Sequence, residues 1–274
     1  MKSYLQWSIV TIAIVIFSAC DSHISISDGN TTLHYPNIES GDTNNTAKEN
    51  TNAPRTILCR VRYKGIMYGC AASETGRIWL DRNLGASRVA ALPSDAASYG
   101  YYFQWGRPAD GHQLVSPDKR HQRATTVHPS FGEFITVNNT TTDWVVDGVD
   151  ANGTQREAFL WKTDGTGICP KGFRVPTAEE LLNEFFQPHF KSTLNFPLAG
   201  FRNNDKNDIE ISESANDTFW DPAGYYMASD KSSNGVAKVL FLNQNKGKIS
   251  TKGRAYGYSV RCIKRESWEV APAV

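Results

Sequence analysis

The sequence lacks an excess of charge of either sign, since 29 lysines and arginines stand against 28 aspartates and glutamates in 274 residues. A chain with a formal net charge of +1 is not driven electrostatically toward nucleic acid, and no basic patch stands out. The 21 glycines and 12 prolines are spread along the chain, which excludes collagen-like and low-complexity architectures. With 40% apolar residues, the chain can bury a real core.

The sequence also lacks the short motifs of common catalytic sites. It contains no G-x-S-x-G, no H-E-x-x-H and no glycine-rich phosphate loop. No pair of residues can be identified as an acid and base. These absences favour a protein that is not an enzyme.

The only sustained apolar run lies at the N-terminus and is too short to span a bilayer. Residues 9–17 are apolar except for Thr11, whereas a spanning helix needs about 20 apolar residues. Lys2 supplies a basic start, and Ser18 and Ala19 are small residues just before Cys20. This pattern resembles a lipoprotein signal, with residues 1–19 removed and Cys20 lipidated. The alternatives are a secretory peptide cut after Ala19 and a transmembrane anchor.

Residues 20–54 are predicted to be the lipidated cysteine and a flexible tether. From residue 21 to residue 54, 20 of 34 residues are Ser, Thr, Asn, Asp or Gly, without a period of 2 or 3.6. A coil of this length would hold a domain on the order of 30 Å from a membrane surface. We therefore expect an exported protein, anchored by lipid to the bacterial cell envelope. One domain follows over residues 55–265, with a tail over residues 266–274.

The domain opens with a predicted hairpin around Lys64 and Gly65, because glycine tolerates the positive φ of a two-residue turn. If Tyr63 opposes Ile66, Cys59 falls directly opposite Cys70. Directly opposed strand residues have Cα atoms about 4.5 to 5.5 Å apart, which permits a disulfide. The alternative is two buried free thiols, which an oxidising compartment disfavours.

The middle of the chain is aromatic at first and then polar. Asp95 is positioned to cap a short helix in which Tyr99, Tyr102 or Phe103, and Trp105 share a face, although Gly100 weakens a helix and a strand is the alternative. Residues 107–160 are predicted to be a long loop-rich insertion. Strand candidates within it lie at residues 134–137 and 144–146.

The strongest helix prediction begins at Thr177. Glu180 lies three residues later, which is a capping box, and residues 181, 182, 185 and 186 form an apolar stripe. Strands are predicted over residues 236–242 and 256–264. If the core side of the last strand carries Tyr258, Val260 and Cys262, then Cys262 faces the segment before the helix, where Cys169 is the remaining thiol. The second predicted disulfide therefore joins Cys169 to Cys262.

Five motifs occur in a distinctive order along the domain. They are residues 79–84 (Trp-Leu-Asp-Arg-Asn-Leu), 99–105 (Tyr-Gly-Tyr-Tyr-Phe-Gln-Trp), 169–177 (Cys-Pro-Lys-Gly-Phe-Arg-Val-Pro-Thr), 196–202 (Phe-Pro-Leu-Ala-Gly-Phe-Arg) and 256–262 (Tyr-Gly-Tyr-Ser-Val-Arg-Cys). In this order they resemble the Fibrobacter succinogenes major paralogous domain family over about residues 74–265.

That resemblance implies an α+β fold of the C-type-lectin-like superfamily, which the two disulfides predicted above would staple. It also implies paired terminal strands and a loop-rich face formed largely by residues 195–232. Residues 174–180 are similar to a stretch of formylglycine-generating and sulfatase-modifying proteins, which share that fold. Fold is implied more strongly than function.

The predicted loop face carries the candidate ligand-binding residues. Residues 203–210 offer oxygen ligands of the kind that calcium prefers, but they lack the glycine of a calcium loop, so a polar hairpin turn is favoured. Glu-Pro-Asn, Gln-Pro-Asp and Trp-Asn-Asp, which sugar-binding C-type lectins usually place around calcium, are missing. No cofactor is therefore expected, with calcium left open. The candidate ligand-binding residues are Asn203, Asp205, Asn207, Trp220 and Asp221.

Two further groups of polar residues are weaker candidates for a metal or ligand site. His112, His121 and His128 follow no compact metal-ligand spacing, so no metal site is predicted. Asp143, Asp147 and Asp150 are candidates to line a sugar or cation site, but solvated loop acids are the commoner case.

The sequence therefore predicts a membrane-anchored binding module for a glycan or a cell-surface protein, without catalysis and without nucleic acid as a partner. The alternative is an enzyme related to the formylglycine-generating proteins. Cysteine usage discriminates between the two, because that chemistry needs reactive or metal-bound cysteines, whereas both predicted disulfides would leave no reactive thiol in the domain.

Overall fold

The structure is a computed structural model that describes residues 59–116, 118–138, 141–185, 193–211, 222–232, 235–244 and 247–272. The predicted signal, the lipidated Cys20 and the tether lie outside the described residues. Within the described ranges, no helix has both the length and the apolar character needed to cross a membrane.

Short strands dominate the described chain. The strands are β1 (Arg60–Tyr63), β2 (Ile66–Ala72), β3 (Ile78–Leu80), β4 (Phe103–Gln104), β5 (Lys119–Arg120), β6 (Phe134–Ile135), β7 (Phe173–Arg174), β8 (Phe201–Arg202), β9 (Ile209–Glu210), β10 (Gly224–Lys231), β11 (Val236–Leu242), β12 (Gly247–Gly253), β13 (Gly257–Tyr258) and β14 (Ile263–Lys264). The α-helices are α1 (Thr154–Leu160) and α2 (Ala178–Asn183), and Ala96–Ser98 forms a 3-10 turn. The described domain is therefore α+β and rich in loops, as predicted.

The strands form several small sheets around a shared core. One sheet has the order β1-β2-β3-β14-β7, a second β4-β13-β8-β9 and a third β10-β11-β12, while β5 and β6 pair in parallel. In the first sheet, Ile263 of β14 lies opposite Trp79 of β3, so strands from the two ends of the domain are paired. This agrees with the predicted pairing of terminal strands.

The first hairpin has the predicted register. Tyr63 pairs with Ile66 and Val61 with Tyr68. Lys64 and Gly65 both adopt positive φ, at 46° and 81°, as a tight turn between twisted strands requires. The same register brings Cys59 to Cys70 with their Cα atoms 5.0 Å apart, and the two form a disulfide.

The second disulfide also joins the predicted partners, since Cys169 and Cys262 are bonded with Cα atoms 6.0 Å apart. The single strand predicted over residues 256–264 is wrong, however. The chain there forms β13 and β14, which belong to different sheets. Val260 and Arg261 between them are both buried, so this segment has no solvent face.

Helix α2 begins as predicted, with a complete capping box. The Glu180 amide donates to Thr177 Oγ1 at 3.2 Å, and the Thr177 amide donates to Glu180 Oε2 at 2.8 Å. Its apolar face buries Leu181 and half-buries Leu182. The helix ends at Asn183, before the predicted apolar stripe is complete.

The helix predicted after Asp95 is wrong beyond one 3-10 turn. Asp95 precedes that turn, but its carboxylate accepts from Arg88 and from the Ala91 amide instead of capping the turn. Gly100 has φ of +78°, and a Cβ there would lie 2.3 Å from the Leu84 carbonyl oxygen. The chain turns at this glycine and continues into β4, so the strand alternative is correct for residues 103–104.

The insertion over residues 107–160 contains more regular secondary structure than predicted. Its strand candidates appear as β6 and as a bridge between Ala124 and Val145, but helix α1 was not predicted. Trp144 is completely buried. The insertion therefore contributes to the core and is not only a surface loop.

Strands β10 and β12 flank the predicted strand β11, and neither was predicted. Residues 224–229 of β10 are all buried, so the prediction of a loop face over residues 195–232 is wrong for this part. Residues 203–208 do form a turn, between β8 and β9, as the favoured hairpin interpretation predicted.

Candidate functional site

A surface groove of about 350 Å³ lies within the insertion, a volume in the range of small-molecule sites. Its lining comes from residues 141–143, 145–149 and 151, together with Arg123 and Gly235. A second concavity beside Arg88 and Leu92 is more open. The groove combines an enclosing shape with charges of both signs, and we therefore treat it as the candidate site.

Close backbone contacts hold the back of the groove. The Arg254 amide donates to the Gly235 carbonyl at 3.0 Å, and the Ala255 amide donates to the Thr142 carbonyl at 3.0 Å. Gly235 has φ of +70°, and a Cβ there would lie 2.7 Å from Thr142 Oγ1. Only glycine meets both demands without strain, so this residue fixes the distance between β11 and the groove wall.

A tight turn over residues 146–149 forms the rim of the groove. The Val149 amide donates to the Val146 carbonyl at 3.2 Å, and Gly148 takes a φ of +87°. Asp147 sits at the tip of the turn with a side chain that is 96% exposed. The rim therefore presents a carboxylate to solvent from a short, closed turn.

Asp143, which lines the groove, belongs to a buried cluster of two arginines and two aspartates. We call this cluster the floor, although its other three members lie behind Asp143 and do not line the groove. Arg156 donates to both oxygens of Asp143, at 2.6 and 2.9 Å, and its Nε donates to Asp150 at 2.9 Å. Arg254 Nη1 donates to Asp143 at 3.1 Å. Both arginine side chains are fully buried, and the two carboxylates balance their two charges.

Two indole rings make this floor rigid. The Arg156 guanidinium lies 5.5 Å from the Trp105 ring and 5.3 Å from the Trp144 ring, and Arg254 lies 4.8 Å from Trp105. Trp144 Nε1 donates to the Trp105 carbonyl at 2.9 Å. Stacked guanidinium groups with satisfied donors have little freedom to move, so the floor is preorganised.

Arg123 is the charged residue that stands between the floor and solvent. Its Nε donates to the Asp143 carbonyl at 3.0 Å, and its Nη2 donates to Asp147 at 2.8 Å. The Arg123 side chain is 21% exposed, whereas its carboxylate partner is almost wholly solvated. The guanidinium is thus oriented from below by the backbone, and its ion pair lies at the open side.

The acidic residues of this region differ from the predicted solvated loop acids. That expectation is wrong for Asp143 and Asp150, whose side chains are 11% and 1% exposed and bind the buried arginines. Asp147 is solvated as expected. Arg123, Arg156 and Arg254 were not singled out from the sequence, because their partners are as distant as 111 residues along the chain and no local pattern marks them.

The structure brings Asn203, Asp205 and Asn207 together on one hairpin, where Asn203 stabilises the turn and Asn207 ties the hairpin to the insertion. Asn203 Oδ1 accepts from the Asp205 amide at 2.7 Å, and Asn207 Nδ2 donates to the Ser116 carbonyl at 3.3 Å. Asp205 is exposed. The other two predicted ligand-binding residues, Trp220 and Asp221, lie outside the described residues.

The three histidines lie in different surroundings. His112 is buried, its Nε2 accepts from the Gln104 amide at 3.0 Å, and its Nδ1 lies 2.7 Å from Asp110. Burial lowers the pKa of His112 to about 4. His121 bonds to Thr136, and His128 packs its ring edge-on against Phe159. In the part of the chain that the structure describes, no three His, Cys, Asp or Glu residues gather as a metal site would require.

Comparison of the chain with models of protein families, with curated proteins and with solved structures finds no match.

Proposed function

We propose that this protein is a membrane-anchored, extracytoplasmic binding module that recognises a glycan or a cell-surface protein without catalysing a reaction. The observation that carries the proposal is the groove of residues 141–151. It is borne on loops and mounted on the buried cluster of Asp143, Arg156 and Arg254. Loops on a rigid scaffold are the usual location of recognition sites.

We further propose that the domain has the C-type-lectin-like fold and belongs with the Fibrobacter succinogenes major paralogous domains. The α+β, loop-rich architecture and the pairing of β3 with β14 support this assignment. The two disulfides, which were predicted from the hairpin register and the facing of the last strand, are compatible with this fold.

Cysteine usage favours binding over the alternative of a formylglycine-generating type of enzyme. That chemistry needs a reactive or metal-bound cysteine. Cys59, Cys70, Cys169 and Cys262 are joined in two disulfides, so none of these four side chains is available as a thiolate.

The membrane anchor is proposed from Cys20, the small residues before it and the polar tether that follows. Replacing Cys20 with serine should release the protein from the membrane fraction, because the lipid can no longer be attached. If C20S still fractionates with membranes as the wild type does, the anchor has to be abandoned.

A glycan and cell-surface protein array, run with calcium and with chelator, tests the binding function. Val146→Trp should fill the groove and abolish the signal, whereas Val115→Trp, at a residue 65% exposed and outside the groove, should retain it. Binding that survives V146W but disappears when Asp205 and Trp220 are both replaced with alanine would move the site to the ligand-binding residues predicted from the sequence. No binding on either array would overturn the proposal, and copper- or oxygen-dependent thiol chemistry would then favour the enzyme alternative.

A further inference from the structure

The geometry of the groove points to a particular ligand class. We propose that it binds the carboxylate of an acidic sugar through Arg123, and that Asp147 is an internal counter-ion displaced by the ligand. This inference rests on the proposed binding function and adds the chemical class of the ligand. It makes Arg123 the primary contact for that ligand.

Arg123 is held in the orientation that carboxylate binding needs. Its Nε is fixed by the Asp143 carbonyl at 3.0 Å, and its terminal nitrogen Nη2 is directed at the rim, where it bonds Asp147 at 2.8 Å. A guanidinium is planar and matches the two oxygens of a carboxylate, and it loses less freedom on binding when it is already fixed.

The pair between Arg123 and Asp147 can be exchanged at little cost. Asp147 is 96% exposed, so its carboxylate keeps nearly all of its hydration, and ion pairs of this kind contribute little stability. Gly148 beside it has open space around the position of a Cβ. The Asp147 side chain can therefore leave Arg123 without disturbing the turn.

The charge balance of the groove leaves one unit of positive charge once Asp147 moves away. In the floor, Arg156 and Arg254 are matched by Asp143 and Asp150, and both guanidinium groups are fully buried. They are satisfied and cannot reach a ligand. The groove therefore selects for one negative charge, as in a uronic-acid type of sugar.

The dimensions and walls of the groove favour a sugar over a protein. A volume of about 350 Å³ suits one ring-sized group, whereas a stable protein partner requires roughly 800 Å² of surface on each side. Val146, Val149 and Ala151 offer an apolar wall for the C–H face of a ring, and Thr141 and Thr142 carry hydroxyl groups. A peptide with a free C-terminus is the competing source of a carboxylate, and the test includes it.

The test is a calorimetric titration of the full chain, in detergent, with glucuronate oligosaccharides. The matched probes are the same oligosaccharides with carboxyl groups reduced to alcohols, and a short peptide with a free or an amidated C-terminus. We expect binding of the glucuronates and no binding of the reduced forms. Binding of the free-carboxylate peptide alone would overturn the assignment to sugars.

Two variants separate the roles of the ion pair. Arg123→Gln should weaken glucuronate binding at least tenfold, and Asp147→Asn should strengthen it by up to about fivefold, because the internal competitor has been removed. The pair of Arg120 and Glu133, 3.1 Å apart and outside the groove, supplies the matched controls Arg120→Gln and Glu133→Gln. Both controls should bind as the wild type does.

The outcomes distinguish this inference from the proposed function. If the wild type binds glycans and R123Q binds them equally well, the proposed binding function is kept and the proposal that Arg123 contacts the ligand is wrong. If D147N binds no more tightly than wild type, the proposal that the ligand displaces Asp147 is wrong. Asp147 is so exposed that D147N should fold, and it therefore tests this proposal even if R123Q does not fold. If the wild type binds nothing on the arrays, both proposals fail.

Discussion

Among the described residues, six arginine side chains are less than 2% exposed, and each has a defined set of acceptors. Arg107, Arg156, Arg174 and Arg254 meet carboxylates. Arg202 instead donates to three backbone carbonyls, those of His112, Leu114 and Ser116, and burial lowers its pKa to about 10. At the scale of the residue, buried guanidinium groups thus tie loops to the core where the chain has little regular structure.

Asp143→Asn should destabilise the domain by about 3 kcal/mol, because it leaves Arg156 and Arg254 buried with one carboxylate fewer. Asp147→Asn, in the same segment but 96% exposed, should cost less than about 1 kcal/mol. Denaturant unfolding of the two variants beside wild type measures both values. Equal losses would mean that the floor cluster does not depend on its charges.

His112 should make the stability depend on pH between about 4 and 6.5. Burial lowers its pKa in the folded chain to about 4 from an ordinary value of 6.5, so the unfolded chain takes up a proton first as the pH falls. The contribution is complete above pH 6.5 and is lost toward pH 4, by up to about 3 kcal/mol.

His112→Gln should therefore lose less stability than wild type over this interval. Denaturant unfolding at several pH values measures the difference, and His121→Gln, at an exposed position, is the matched control. An unchanged slope in H112Q would show that other groups account for the acid sensitivity.

At the scale of the element, the short strands and helices depend on specific bonds at their ends. Helix α2 has six residues, and an isolated helix of that length is not stable in water. Its capping box satisfies two amides, and Glu180 also binds Arg174 and Arg77, which ties the start of the helix to the first sheet. The helix is therefore tied to the first sheet at its N-terminus, and Glu184 just after its last residue binds Ser73 and Trp79 as well.

Thr177→Ala should lower the free energy of unfolding by about 1 kcal/mol, because the Glu180 amide loses its acceptor. Glu179→Ala, on the exposed side of the same turn, should change it by less than about 0.5 kcal/mol. Thermal and denaturant unfolding provide the comparison. A loss in E179A as large as that in T177A would contradict the assignment of the cap.

At the scale of the whole molecule, the disulfide between Cys169 and Cys262 links the segment before α2 to the last sheet strand. Its partners are 93 residues apart, whereas Cys59 and Cys70 are separated by 11. A crosslink that closes a longer loop restricts the unfolded chain more. The second disulfide should therefore contribute more to stability than the first.

Replacing Cys169 and Cys262 together with alanine should cost about 5 kcal/mol in the chain-entropy description, against about 3 kcal/mol for Cys59 and Cys70. Denaturant unfolding of the two double variants measures the order. Non-reducing peptide mapping of the wild type should recover both links. A larger loss for the hairpin pair, or a peptide linking Cys59 to Cys169, would contradict this description.

Most of the features predicted correctly from the sequence have a local cause, and the disulfide between Cys169 and Cys262 is the long-range exception. The turn at Lys64 and Gly65 sets the hairpin register, and the register places Cys59 beside Cys70. Thr177 and Glu180 cap α2 through bonds that span three residues. For Cys169 and Cys262, the count of cysteines left a single pairing once the hairpin was assigned.

Tertiary structure alone decided the groove and the strands around it. Strand β10 is buried on both faces and β12 is mostly polar, so neither shows the alternation that marks a strand in sequence. The groove depends on Asp143 meeting Arg254 across 111 residues and on Gly235 lying against Thr142. A charged side chain is predicted to be solvated when its partner is unknown. The partner that offsets the cost of burying the charge is brought close by the fold and not by neighbours in the chain.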